Sequence, residues 1–201
     1  MIDLWETENR IYAELPEGAL LAGVDEAGRG PLAGPVCAAA VILPRGLVIN
    51  GLNDSKKLTE KKREELYADI RDRAIGYGIA FASVEEIEEN NILNATYLAM
   101  TRALEQLPVA PDLALIDGNR DSGIPYRTRC MVKGDASCAD IAAASILAKV
   151  TRDRLMTELA EQYPGYGFEK HKGYGTAAHY AALRELGPSP IHRMSFLRKM
   201  H

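Results

Sequence analysis

The sequence has no apolar run approaching the ~18 to 20 residues that a membrane span requires. Its first ten residues mix acids, a tryptophan and an arginine, which is not the pattern of a secretory signal. Cysteine is scarce. Cys37, Cys130 and Cys138 are an odd number without a C-x-x-C pair, so they read as small buried hydrophobes of a reducing compartment, not as a disulfide framework or zinc cage. His171, His179, His192 and His201 form no H-E-x-x-H. There is no G-x-x-x-x-G-K-[ST] and no G-x-S-x-G, which removes P-loop enzymes and the common serine hydrolases. The glycines of 28–34 do not spell G-x-G-x-x-G and lead into a strand pattern instead of a helix, so a dinucleotide site is not expected. Basic excess is missing too. With 24 basic and 28 acidic side chains the net charge is -4, which argues against nucleic acid as a partner unless a local feature overrides it.

What is present is an ordinary globular composition: 201 residues, 47% hydrophobic and 26% charged. One soluble, cytoplasmic domain is expected, long enough to bury roughly 70% of its unfolded surface. No repeat, low-complexity segment or linker divides it. Apolar runs at 20–24 and 34–43 flank a glycine-rich bend, and 36–43 is apolar on both faces, as a central strand should be. Residues 59–74 read as an amphipathic helix with Leu66 and Ile70 inward and Thr59 as N-cap. Residues 76–84 alternate like a strand, and 85–107 read as helix in two pieces around Asn90-Asn91. Residues 113–116 form a short buried strand closed by Asp117-Gly118, and 126–132 another. Residues 136–162 carry the strongest helical signal, with Ile141, Ala144, Leu147, Ala148 and Leu155 at helical spacing. A last helix covers 176–186, ended by Gly187-Pro188. The pattern predicts a mixed sheet with helices packed on it.

Four acids stand at strand ends or helix starts. Asp25 and Glu26 follow the first apolar run. Neighbours in a regular strand point to opposite faces, so a shared site needs the glycines downstream to supply a bulge or sharp turn. Asp117 ends the buried run 113–116, where ligands gather in α/β sheets. Asp135 precedes the alanine-rich helix. Taken singly, each has an ordinary explanation: a charged loop, a turn dipeptide, a helix cap. Together they make an oxygen-only site suited to Mg²⁺ or Mn²⁺, whose mutual repulsion divalent cations would relieve. Two ions ~3.5 to 4 Å apart are the usual form of this arrangement in nucleases and polymerases.

The charge objection meets local basic blocks: Lys56, Lys57, Lys61, Lys62 and Arg63; Lys170-His171-Lys172; and 193–201. Such runs are ordinarily solvated faces. Lys170-His171-Lys172-Gly173-Tyr174-Gly175-Thr176, however, mixes cations and an aromatic among glycines, a composition suited to phosphates and sugars.

Asp25-Glu26-Ala27-Gly28-Arg29-Gly30 resembles the hallmark of the type 2 ribonucleases H, specifically the bacterial ribonuclease HII family. So do Asn53-Asp54-Ser55-Lys56-Lys57-Leu58, Leu115-Ile116-Asp117-Gly118-Asn119, Lys133-Gly134-Asp135, the stretch 144–153 and His171-Lys172-Gly173-Tyr174-Gly175-Thr176. The resemblance covers almost the whole chain and departs at Met194, where an arginine is common. It implies an α/β, ribonuclease H-like fold: a mixed central sheet flanked by helices, one catalytic domain over 1–201 with a helical C-terminal extension from about 165. A length of 201 residues leaves no room for the extra N-terminal domain of ribonuclease HIII relatives. It further implies endonucleolytic cutting of RNA in RNA–DNA hybrids and of a lone ribonucleotide in duplex DNA, with Mg²⁺ or Mn²⁺ held by Asp25, Glu26, Asp117 and Asp135. Gly28, Arg29 and Gly30 would read the 2′-hydroxyl through backbone groups, and Tyr174 would pack on the adjoining sugar. Contact or support is implied for Lys56, Ser145 and Lys149, although Ser145 and Lys149, one helical turn apart, fit an ordinary polar stripe equally well. A monomer without membrane contact is expected, and no replication-clamp partner is legible. Two rivals stay open: another metal nuclease of this fold that ignores ribose, and a module that only binds hybrids.

Overall fold

The computed structural model describes residues 4–53 and 55–198. Asp54 and residues 199–201 of the basic tail therefore lie outside the described residues. The sheet contains β1 (Leu21–Ala27), β2 (Val36–Ile42), β3 (Gly76–Ala82), β4 (Leu113–Asp117) and β5 (Thr128–Met131), in the order β3-β2-β1-β4-β5. The pairs β1–β2 and β2–β3 are antiparallel, and β1–β4 and β4–β5 parallel. This is the mixed sheet expected, and β1 sits at its centre.

Side-chain alternation divides the strands between two cores. Leu21, Cys37, Ala39, Val41, Leu113 and Leu115 pack on one face. Ala22, Val24, Ala38, Ala40, Ala114 and Ile116 pack on the other. The first face carries α1 (Leu4–Tyr12), α2 (Glu60–Arg73) and α4 (Ala139–Gln162); the second carries α3 (Val84–Glu105). Small residues allow close approach. A Cβ on Gly23 would stand 2.1 Å from the Asp140 carbonyl carbon, so α4 lies directly on the β1 backbone.

Local signals set the ends of several elements. Thr59 caps α2 through a bond from the Lys62 amide. Ser83 and Glu86 close a reciprocal capping box at α3. Helix α3 is interrupted at Asn91, whose φ of 64° is non-helical, where the sequence predicts a break. The expected helix 136–162 starts later, because Gly134–Ala136 form a 3-10 turn after Lys133 in the left-handed region. The C-terminal part holds three short helices, α5 (Phe168–His171), α6 (Ala177–Leu186) and α7 (Met194–Leu197).

Helix α1 lies outside the elements that the sequence pattern predicts, and its anchor is unusual. Glu8 and Asp140 are both fully buried. Glu8 Oε1 accepts the Asp140 amide at 2.9 Å, and Asp140 Oδ1 accepts the Leu43 amide at 2.7 Å. The remaining oxygens, Glu8 Oε2 and Asp140 Oδ2, have no other partner among the described residues. Two carboxylates facing each other in a dry core are tolerable only if they share a proton. Burial accordingly pushes Glu8 up to about 7, and burial with the neighbouring Glu8 charge pushes Asp140 well above the carboxylate range.

A folded-state pKa raised from 4.5 to about 7 means that the pair's stabilisation is complete below pH 4.5 and is lost as pH rises through 7. Thermal melts between pH 5 and 9 should show stability falling across that window, by about 2–3 kcal/mol at its upper end. Glu8→Gln, which holds its hydrogen without titrating, should flatten the profile. An unchanged slope in Glu8→Gln would refute the shared proton.

Candidate active site

The carboxyl end of β1 and its parallel neighbour β4 open onto one cleft. Its walls are Asp25, Glu26, Gly28, Arg29, Gly30, Ser55, Lys56, Arg63, Asp117, Ser145, Lys149 and Tyr174. At its floor stand Asp25 and Asp117, with Asp135 beside them; each offers a carboxylate oxygen, all within 4.8 Å of one another. The fold places them separately: Asp25 near the end of β1, Asp117 at the last position of β4, and Asp135 in the 3-10 turn before α4. Asp117 Oδ1 accepts the Gly134 amide at 2.7 Å, which ties the strand end to that turn.

Glu26 reaches the cleft differently. The β1–β2 ladder is unbroken through Ala27, with Asp25 opposite Ala39 and Glu26 opposite Ala38. No bulge turns the two carboxylates to one side, contrary to the expectation from the glycines downstream. Asp25 faces α4, and Glu26 leaves the strand on the α3 face, where Arg29 Nη1 meets it at 3.3 Å. Glu26 and Asp117 also line a second hollow on that side, together with Tyr97, Asn119 and Arg120. The cleft thus straddles the end of β1, and the two neighbouring acids enter it from opposite faces of the strand.

The electrostatics show what the site lacks. Asp25 is raised well above the carboxylate range, first by burial and then by the charges of Glu26 and Asp117; bonds from Ser145 and the Glu26 amide oppose the shift. Burial also raises Asp117, with Asp135 adding to it, and burial raises Glu26 despite Arg29. Among the described residues, one cation bonds this trio of acids: Lys56 Nζ lies 3.4 Å from Asp135 Oδ2 and is largely exposed. The donor set is entirely carboxylate, with no nitrogen or sulfur. It therefore fits a hard divalent cation, which would supply the missing positive charge.

Other expected residues fall as follows. Ser145 sits on the α4 face over Asp25 and bonds Ser55 Oγ at 2.8 Å. Lys149 lines the cleft, but its ammonium is held by Asp153 at 2.8 Å, one turn along the helix. Tyr174 is 44% exposed, so it is a surface ring and not a core aromatic. Its edge lies 3.6 Å from where a Gly30 Cβ would stand. Ser55, expected only within a family-like block, and Arg63, expected only within a basic block, also line the cleft; Arg63 holds the Ser55 and Leu58 carbonyls at 3.0 and 2.6 Å. Arg193, expected in an exposed basic tail, is fully buried. Its fork turns inward because Gly28, Arg29 and Gly34 present carbonyls there.

The family model for ribonuclease HII matches residues 22–199. A ribonuclease HII of Marinomonas sp. (strain MWYL1) is 59% identical over 189 residues, covering 94% of this chain and 93% of its own. Among solved structures, the ribonuclease H2 of Pyrococcus horikoshii OT3 superposes with a TM-score of 0.73 at 28% identity, over 88% of this chain and 93% of the other. The ribonuclease HII of Archaeoglobus fulgidus, in a complex with PCNA, gives a TM-score of 0.69 at 28% identity, over 87% and 94%. The mixed sheet and its flanking helices are thus a ribonuclease H-like fold.

The two glycines of the Gly28-Arg29-Gly30 turn should respond differently to a methyl group. Gly28 has φ +99°, and its Cβ would meet Arg152 Nε at 2.0 Å, whereas Gly30 has only Tyr174 within reach. Gly28→Ala should therefore lose about 1–3 kcal/mol of folding stability, and Gly30→Ala should melt close to wild type. Denaturant titration of the two variants checks this; equal losses would contradict the geometry.

Proposed function

The chain belongs to the ribonuclease HII family, an endoribonuclease H, and on that premise we propose that it cuts the RNA strand of RNA–DNA hybrids and single ribonucleotides embedded in duplex DNA. The observation that carries this reading is one cleft joining the Asp25–Asp117–Asp135 cluster to the Gly28–Gly30 turn and Tyr174. The first can hold divalent cations, and the second presents backbone and an exposed ring. A chain that only bound hybrids would have no use for three repelling carboxylates, and a nuclease indifferent to ribose would not need the second wall.

Asp25, Asp117 and Asp135 would hold Mg²⁺ or Mn²⁺, with Glu26 joining from the other face of β1. A divalent cation bound there supplies Lewis-acid polarisation of the scissile phosphate and a water deprotonated near neutral pH. Ser145 and the Glu26 amide keep Asp25 aimed at the cleft floor. Lys56, Arg63 and Lys149 set positive charge along the cleft wall for flanking phosphates. The amides of the Gly28–Gly30 turn would contact the 2′-hydroxyl, the group that distinguishes RNA from DNA at one nucleotide. Tyr174 would lie on the neighbouring sugar. The catalytic unit is one domain whose extension, from about residue 165, supplies Tyr174. It acts as a monomer in the cytoplasm, in removing ribonucleotides during DNA replication and repair.

Asp117→Asn keeps the side-chain shape but removes a charge, so cleavage at saturating Mg²⁺ should fall by about 100-fold or more while folding survives. Near wild-type turnover would remove Asp117 from the metal site. The products should carry 3′-hydroxyl and 5′-phosphate ends, because water and not the 2′-hydroxyl attacks; a cyclic phosphate on end-group analysis would reverse that assignment. Tyr174→Ala should fold normally by circular dichroism and lose single-ribonucleotide cleavage, and full activity would exclude the ring from the site.

A further inference from the structure

Arg152 and Arg193 are only 1% and 0% exposed, and neither pairs with a carboxylate among the described residues. Arg152 donates to the carbonyls of Pro35, Lys172 and Ala33 at 2.9–3.0 Å. Arg193 donates from Nε to Gly34 at 2.9 Å, from Nη1 to Arg29 at 3.0 Å and from Nη2 to Gly28 at 2.6 Å. A buried cation without an anion is costly, and an apolar side chain would fill the same volume without that cost. What the guanidinium alone supplies is a rigid fork of donors that can gather several carbonyls at once.

The consequence lies on the other side of each peptide. The described residues contain no cis bond, so in the planar trans peptides 28–29 and 29–30 each N–H points away from its carbonyl. Arg193 pulls the Gly28 and Arg29 carbonyls inward. The amides of Arg29 and Gly30 are thereby turned outward, and neither has a hydrogen-bond partner among the described residues.

The preceding residue reaches the other half of the wall. His179 Nδ1 lies 2.9 Å from the Tyr174 carbonyl, and His179 Nε2 lies 3.0 Å from His192 Nε2. The Ser189 amide donates to His192 Nδ1 at 2.8 Å. Because a carbonyl can only accept, the chain has one consistent assignment of protons: His192 Nε2–H to His179 Nε2, and His179 Nδ1–H to Tyr174. Burial favours the neutral form of both rings, pulling His179 down and His192 down to about 4. The backbone joins the same parts: the Leu32 amide donates to Gly173, and the Arg193 amide to Leu32, both at 2.8 Å.

We propose that the consecutive residues His192 and Arg193 are positioning residues for ribose recognition, a clamp by which the C-terminal extension sets the Gly28–Gly30 amides and Tyr174 at a fixed separation across one nucleotide. Neither residue touches substrate. Arg193 acts through the peptide planes of the turn, and His192 through His179 on the Tyr174 backbone. The proposal rests on the ribose-reading role given above to that turn and ring.

The test compares wild type, Arg193→Lys and His192→Gln on a duplex with one ribonucleotide. Lysine keeps the buried charge but cannot span three carbonyls. Arg193→Lys should fold and bind Mn²⁺ as wild type does, with faster amide exchange at residues 28–30. Its kcat should fall 10- to 100-fold, the scale of a misplacement near 1 Å, with KM within about threefold because duplex contacts remain. His192→Gln should show the same split, with faster exchange at 173–175. A folded variant with wild-type kcat overturns the clamp, as does a kcat loss accompanied by an equal loss of Mn²⁺ binding. Should Arg193→Lys unfold, His192→Gln decides alone by the same criteria. Failure of the wild type to cut this duplex would instead sink the functional reading, while the exchange pattern would still test the clamp's mechanics.

Discussion

Three glycines between residues 23 and 34 each face a residue along α4 at a distance no side chain could share. A Cβ would stand 2.1 Å from Asp140 at Gly23, 2.0 Å from Arg152 at Gly28 and 2.4 Å from Met156 at Gly34. At Gly23 the contact is with the helix backbone and seats α4 directly against β1; at Gly28 and Gly34 side chains from α4 fill the space, and the remaining arrangement depends on this packing. Asp140, near the start of α4, anchors α1 through Glu8. Ser145 lies over Asp25. Lys149 faces the cleft, and Arg152 reaches across to the loops at 33–35 and 172. One helix therefore touches both Asp25 and the loops behind the recognition wall.

Repulsion among the acids is the cost of this geometry. Asp25, Glu26 and Asp117 are all displaced upward because burial removes water while their neighbours remain negative. The fold supplies only partial compensation: Ser145 and the Glu26 amide on Asp25, Arg29 on Glu26, backbone amides on Asp117 and an exposed lysine on Asp135. Elsewhere it treats charge in the opposite way: burial favours the protonated form of Glu8 and Asp140 in a sealed core, and Arg152 and Arg193 are met by carbonyls, with the Phe196 ring against Arg193. A protein that can satisfy buried charges internally leaves one group of acids unsatisfied at an open cleft, which is where divalent cations can reach them.

Much of this was legible in the sequence because it is local. The apolar run 36–43 gives β2, the Thr59 cap gives α2, and Asn90-Asn91 gives the interruption of α3. The acids stand out because each ends a strand or precedes a helix. What escaped reading depends on contacts distant in the chain. Helix α1 is too short to announce itself and is fixed by Glu8 meeting a residue 132 positions away. Arg193 looks like part of a basic tail until its partners, 159 to 165 positions away, come into view. The expected bulge after Asp25 is absent because the cleft wraps around the strand end, so a regular ladder already lets both carboxylates enter it. The Ser83-x-x-Glu86 box, by contrast, is a purely local signature of the α3 start.

The central claim is that one cleft joins metal-assisted hydrolysis to recognition of a single ribose. It is tested most directly by incubating the wild-type protein, with Mg²⁺ or Mn²⁺ and then with chelator, on two duplexes identical except for one 2′-hydroxyl. The account predicts one cut, at the ribonucleotide, in the presence of metal, and an intact all-deoxy duplex. Equal cutting of both duplexes, or cutting that survives the chelator, would contradict it.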